Sequence, residues 1–141
     1  LDGYALVTLV FLCPDPLSYA TSLSTVSFGA TPTSMPLGTA ATSPRTFIAN
    51  ATAGTLTDFT LTQYDASGNV LATMVLTGAL LTGESLDIDH AGQEVTHIDA
   101  SAVRTSARSW LTSGTYFVMH NGDQLGVNQG SGLAQYLKAY L

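Results

Sequence analysis

Charge is what this sequence has least of: only 10% of its 141 residues are Asp, Glu, Lys or Arg, against about 25% in ordinary soluble domains. Four of these are basic, Arg45, Arg104, Arg108 and Lys138, and the formal net charge is −6. Phosphate-driven binding needs a basic stripe, so nucleic acid is excluded as a partner. Cysteine is nearly absent, Cys13 being the single copy. One thiol cannot close an intrachain disulfide, which excludes the small secreted class held by such bonds and makes a reducing cytoplasm the expected place of assembly. Long apolar runs are missing too. Residues 4–12 form an apolar run of nine, interrupted by Thr8 alone, well short of the roughly 20 that span a bilayer. That stretch has neither the basic flank nor the small-residue cleavage site of a signal peptide, so no membrane partner is expected. No internal repeat or heptad stretch is visible.

Thr, Ser, Ala and Gly fill the space left by charge, and 45% of the residues are hydrophobic. A chain of this length buries roughly 70% of its unfolded surface, enough to fold as one domain without staples. So little charge leaves weak repulsion between copies and suits a surface covered by neighbours, the mark of a subunit. The chain opens on Leu1, not Met, at what reads as the approach to a strand. A preceding piece is therefore expected upstream.

The periodicity is that of strands. Residues 4–12 are β-rich and stop at Pro14 and Pro16, which cannot donate to a ladder. Residues 20–40, rich in Ser, Thr, Gly and Pro, read as a linker carrying one short strand at 25–28. From 41 to 141 short apolar segments recur about every ten residues between turn signals. Strands are predicted at 56–64 and 70–77 around the Asp65 to Asn69 loop, and at 83–89 and 93–98 around His90-Ala91-Gly92. A third hairpin is predicted at 116–120 and 124–127 around Asn121-Gly122, a strong two-residue turn signal. The stretch 133–141 fits either a helix or a strand by spacing, and the surrounding β pattern favours a closing strand. The expected fold is all-β, an antiparallel β-sandwich of jelly-roll or galectin-like type.

Candidate chemistry is thin. Asp87 and Asp89 stand two apart on one strand, on one face, with Cα atoms roughly 7 Å apart. Such a pair could serve a glycosidase or a calcium site, but a glycosidase pair must flank its substrate, and these two read as a solvated face. His90, His97 and His120 have no zinc-ligand spacing, and no Gly-x-Ser-x-Gly elbow exists. Cys13 beside Pro14 reads as a small packed hydrophobe. Asn50-Ala51-Thr52 matches a glycosylation acceptor, a pattern that carries little without a secretory signal. Trp110 reads first as a core side chain; a sugar-stacking platform and an intersubunit contact are the alternatives. Trp110 and Tyr116 are the candidate ligand or interface residues. No catalytic residue, metal or cofactor is expected, and the chain does not read as an enzyme.

Four pieces in order carry a resemblance: Val-Thr-Leu-Val-Phe-Leu-Cys-Pro-Asp-Pro-Leu-Ser-Tyr at 7–19, Leu-Gly-Thr-Ala-Ala-Thr-Ser-Pro at 37–44, Gly-Glu-Ser-Leu-Asp-Ile-Asp at 83–89, and Ser-Trp-Leu-Thr-Ser-Gly-Thr-Tyr at 109–116. Together they resemble the C-terminal half of siphophage distal tail proteins and related minor tail components. The chain departs from that pattern at two turns, Asp99-Ala100-Ser101 and Ser113-Gly114-Thr115. The resemblance implies a virion protein of the tail tip, assembled in the host cytoplasm, with no enzymatic activity. Residues 1–19 would then be the terminal strand of an upstream ring-forming domain, 20–40 a linker, and 41–141 the sandwich. Implied partners are copies of the chain itself, in a ring that is a hexamer by resemblance, and other tail proteins. A carbohydrate-binding module that recognises host surface glycans is the alternative.

Overall fold

The computed structural model describes residues 18–140. The expected strand at 4–12 and Cys13 lie outside them. Thirteen strands follow in order: β1 Ser18–Tyr19, β2 Ser24–Phe28, β3 Thr33–Ser34, β4 Arg45–Ala49, β5 Leu56–Tyr64, β6 Val70–Leu80, β7 Ser85–Asp89, β8 Glu94–Ile98, β9 Arg104–Ser106, β10 Leu111–Gly114, β11 Gln124–Val127, β12 Ser131–Tyr136 and β13 Ala139–Tyr140. A single 3-10 turn spans Arg108–Trp110. The strands form a five-stranded sheet, β10-β6-β5-β11-β3, a six-stranded sheet, β2-β12-β4-β7-β8-β9, and a ribbon of β1 with β13. All pairings are antiparallel, and the molecule is a β-sandwich, as the alternation requires.

The core lies between the sheets. Phe59, Leu61, Met74, Leu76 and Leu125 point inward from one, and Ile48, Leu86, Ile88, Val95 and Ala134 from the other, each at most 1% exposed. Burying one such large apolar side chain contributes about 1.5–3 kcal/mol, which makes the facing layers the main source of stability.

Two hairpins form where the turn residues placed them. In the β5–β6 loop the Asp65 carboxylate accepts the amides of Ser67 and Asn69, each at 2.8 Å, and Gly68 takes φ 88. The β7–β8 turn places its left-handed residue at Gln93, φ 55. The closing segment is a strand, β12, central in its sheet between β2 and β4.

Two expectations need correction. Residues 116–120 do not pair with β11, whose two edges are taken by β5 and β3. They cross instead to Thr42, which exchanges backbone hydrogen bonds with Met119 at 2.8 and 2.9 Å. The Asn-Gly turn serves a different purpose: Asn121 Oδ1 accepts the Leu37 amide at 3.1 Å. The segment 20–40 holds the expected strand as β2 and is also part of the sandwich. It contributes β3 as well, and Met35 and Leu37 are fully buried. Its Ser, Thr and Pro content hides the inward Val26 and Phe28, which sit two residues apart as a strand demands.

Candidate functional site

The outer face of the six-stranded sheet gathers Arg45, Asp87, Asp89, Glu94 and Arg104, five of the chain's fourteen charged residues. Arg45 on β4 stands opposite Asp89, one diagonal step from Asp87. Its Nε donates to Asp87 Oδ1 at 2.7 Å and its terminal nitrogen to Oδ2 at 2.6 Å, a bidentate pair. Arg104 reaches from β9 across β8 and donates to the same Oδ2. Asp87 is thereby 2% exposed while the two arginine side chains stay about half exposed.

The reading of Asp87 as a solvated carboxylate is therefore wrong, although its position on the outer face is right. The cover comes from two guanidinium groups and from Phe47, which lies opposite Asp87 and carries Arg45 at 5.6 Å over its ring. Burial pushes the Asp87 carboxyl up, but the hydrogen bonds from Arg45 and Arg104 outweigh it and hold it below the ordinary carboxylate range. Three charge-assisted hydrogen bonds and 2% exposure leave this carboxylate a structural partner of two arginines and close it to a substrate. Asp89 turns away and caps the β7–β8 turn, accepting the Gly92 amide at 2.8 Å. The two carboxylates do not form a dyad.

The three histidines have three separate environments. His90 is 3% exposed and stacked on Phe117, centroids 4.9 Å apart. Its Nδ1 accepts the Phe117 amide at 2.9 Å, so Nε2 carries the proton and donates to Thr46 Oγ1 at 3.0 Å. Burial pushes this imidazole down to about 4, and it is neutral in the folded protein. His97 lies 3.0 Å from Glu84 Oε2, while His120 sits exposed near the Asn-Gly turn. Among the described residues no group of three His, Cys, Asp or Glu is placed to hold a metal.

Trp110 bridges the open side of the sandwich. Its indole lies flat against Gly78 of β6, where an added Cβ would meet ring carbons at 2.2 Å, and it leans on His97 of β8 at 5.3 Å. One side chain thus joins the two sheets, and its ring is partly buried against the core. Tyr116 is half-buried, edge-on to His90 at 6.1 Å, and its hydroxyl is buried with no hydrogen-bond partner among the described residues. Burial raises the Tyr116 phenol, and Arg108 nearby opposes this. Trp110 and Tyr116 are not brought together as one exposed aromatic surface. Asn50 of the glycosylation-like triplet is 1% exposed, and its Nδ2 is committed to Gly54 and Leu80 carbonyls at 2.7 and 2.9 Å. That nitrogen is closed to a transferase in the folded state.

A cleft of about 370 Å³ opens where β9 leaves β8, lined by Glu94, Val95, Thr96, Arg104, Thr105, Ser106 and Arg108. None of these residues stands out by motif. The only signal available in the sequence is that two of four basic residues fall within five positions, at 104 and 108.

No family model matches this chain, and no curated protein matches it. Among solved structures it is similar to the crystal structure of the SPP1 Dit (gp 19.1) protein, which is described as a paradigm of hub adsorption apparatus in phages that infect Gram-positive hosts. The likeness has a TM-score of 0.73 at 17% identity and covers 92% of this chain and 51% of that one. The chain therefore spans about half the length of the phage protein. Such a likeness establishes a shared fold across nearly the whole sandwich.

Proposed function

We propose that this chain is the sandwich domain of a phage tail-tip protein, a distal tail or minor tail component acting as a hub or docking subunit. The observation that carries the reading is the fold shared with a phage hub protein over 92% of the chain. The order of the four sequence pieces supports it independently. The site geometry agrees: Asp87 and His90, two buried ionisable groups with shifted titration, hold distant segments of the fold together.

In this reading residues 1–19 are the terminal strand of an upstream ring-forming domain, and the sandwich is galectin-like. Ser18 pairs with Tyr140, so the chain enters the sandwich beside β13 and a preceding domain needs to attach at one end only. Copies of the chain form a ring at the tail tip of the virion, a hexamer by resemblance, and other tail proteins dock on it. The role is structural, with no reaction assigned.

Electron microscopy of phage particles labelled with an antibody against this domain tests the location. Label at the tail tip is expected; label only on capsid or shaft overturns the reading. Light scattering on the protein with its upstream region present tests the ring, and a strict monomer overturns that part.

A further inference from the structure

We propose that the cleft between β8, β9 and the 3-10 turn binds a small anionic polyol, one acidic group on a hydroxylated carbon frame. The inference stands on the cleft itself and holds whether or not the domain belongs to a tail tip. In volume, about 370 Å³, it falls at the lower end of the roughly 300–1,000 Å³ typical of small-ligand sites. Its shape comes from the strand ladder. Thr96 stands opposite Ser106, and the pairing ends where the Ala107 amide donates to the Val95 carbonyl at 2.8 Å. The chain then turns into the 3-10 segment at Arg108, leaving a corner that both Arg104 and Arg108 line.

The two arginines are held differently. Arg104 is fixed through one terminal nitrogen by the buried Asp87 carboxylate, and a guanidinium has five N–H donors, so the others remain for a ligand. An arginine already oriented loses less freedom when it binds. Arg108 makes no salt bridge among the described residues. It is the cation of the cleft without a counter-charge of its own. Arg104 and Arg108 are half of the chain's basic residues, and a fork of donors on each side suits a planar carboxylate or a phosphate.

The rest of the lining selects a polyol over a bare ion. Thr96, Thr105 and Ser106 offer hydroxyl groups, and Glu94 offers a carboxylate that accepts hydrogen bonds from hydroxyls while repelling a naked anion. The site thus joins charge recognition to hydroxyl recognition. A uronic acid and a polyol phosphate both meet that description.

Nuclear magnetic resonance titration of the 141-residue chain, labelled with nitrogen-15, tests it with four probes: glucuronate, glycerol 3-phosphate, glucose and inorganic phosphate. Saturable shifts confined to residues 94–96 and 104–108 are expected with at least one of the first two, at millimolar concentration, weakening as salt is added. Whichever of those two binds more tightly assigns the acidic group as carboxylate or phosphate. Arg108→Ala, at an exposed side chain, should weaken binding roughly tenfold with the remaining spectrum unchanged; Arg108→Lys should restore part of the loss. Absence of saturable shifts at the cleft with both anionic polyols overturns the proposal, as does Arg108→Ala binding like the parent. Glucose binding as tightly as glucuronate overturns the anion part, and inorganic phosphate binding as tightly as glycerol 3-phosphate overturns the polyol part.

Discussion

Acid should weaken this domain well above the pH at which carboxylates titrate, and His90 is the reason. In the unfolded chain its imidazole titrates near 6.5; in the fold burial lowers it to about 4, with the Asp89 charge opposing. Between those values the unfolded chain takes up a proton that the folded one refuses, so stability falls as pH drops from 6.5 toward 4 and is fully present above 6.5. At about 1.4 kcal/mol for each pH unit the loss is roughly 3 kcal/mol, a large part of the 5–15 kcal/mol that holds a domain of this size. The structural reason is specific: protonating Nδ1 would set an N–H against the Phe117 amide that now donates to it. Urea unfolding followed by tryptophan fluorescence, from about pH 7.5 to about pH 4, measures the slope. His90→Gln has no titrating ring. It should be less stable at neutral pH and lose roughly 3 kcal/mol less than the parent across the window. His97 and His120 are present in both proteins and cancel in the difference. Parallel pH profiles for the two, or an imidazole signal for His90 titrating near 6.5, would refute the reasoning.

Other consequences follow from single contacts. Arg45→Met and Arg104→Met keep the covering stem but remove a guanidinium, and each alone should cost about 1 kcal/mol because Asp87 retains one counter-charge. The double variant should cost about 3–5 kcal/mol, more than the sum, since a buried carboxylate is then unpaired; additive losses in urea unfolding would contradict the triad. Gly78→Ala should destabilise by about 1–3 kcal/mol through overpacking and shift the emission of the single tryptophan, because Trp110 must leave the β6 backbone; an unchanged spectrum would disprove the contact. Tyr136→Phe removes a buried hydroxyl that has no partner among the described residues, and thermal melting should show a protein at least as stable as the parent.

The sheets were legible because their signal is local. Alternation at Phe59, Leu61 and Gln63 or at Leu86 and Ile88 needs only neighbours in sequence, and the Asp65 loop closes on its own side chain. What escaped was set by strands far apart. Asp87 has the pattern of a wet residue, and nothing near it in sequence shows that Arg45, forty-two positions earlier, and Arg104, seventeen later, would close over it. The Asn-Gly hairpin failed for the same reason. Its local turn is real, but the partner edge of β11 had already been taken by β5 and β3, and Phe117 gives its amide to His90 in the β7–β8 turn. Trp110 was readable as core in kind; Gly78, which makes room for it, was not readable at all.

The low overall charge also conceals an asymmetry that only the sheet order reveals. On the five-stranded sheet, residues that alternate with the core point outward as Thr60, Thr62, Thr73, Val75 and Thr77, none of them charged, with Thr77 3.1 Å from Thr112 on the neighbouring strand. On the six-stranded sheet the same outward positions are Arg45, Asp87, Asp89, Glu94 and Arg104. A composition-based argument for a neutral, covered surface therefore applies to one face and not the other. Burying hydroxyls against a neighbour costs little when each finds a hydrogen bond, whereas covering the charged face would strip water from ions whose pairing is only partly internal. If copies of this chain or other proteins pack closely on the sandwich, the threonine face is the one that physical cost favours. The charged face, with its cleft beside β9, is the one left to solvent and to small ligands.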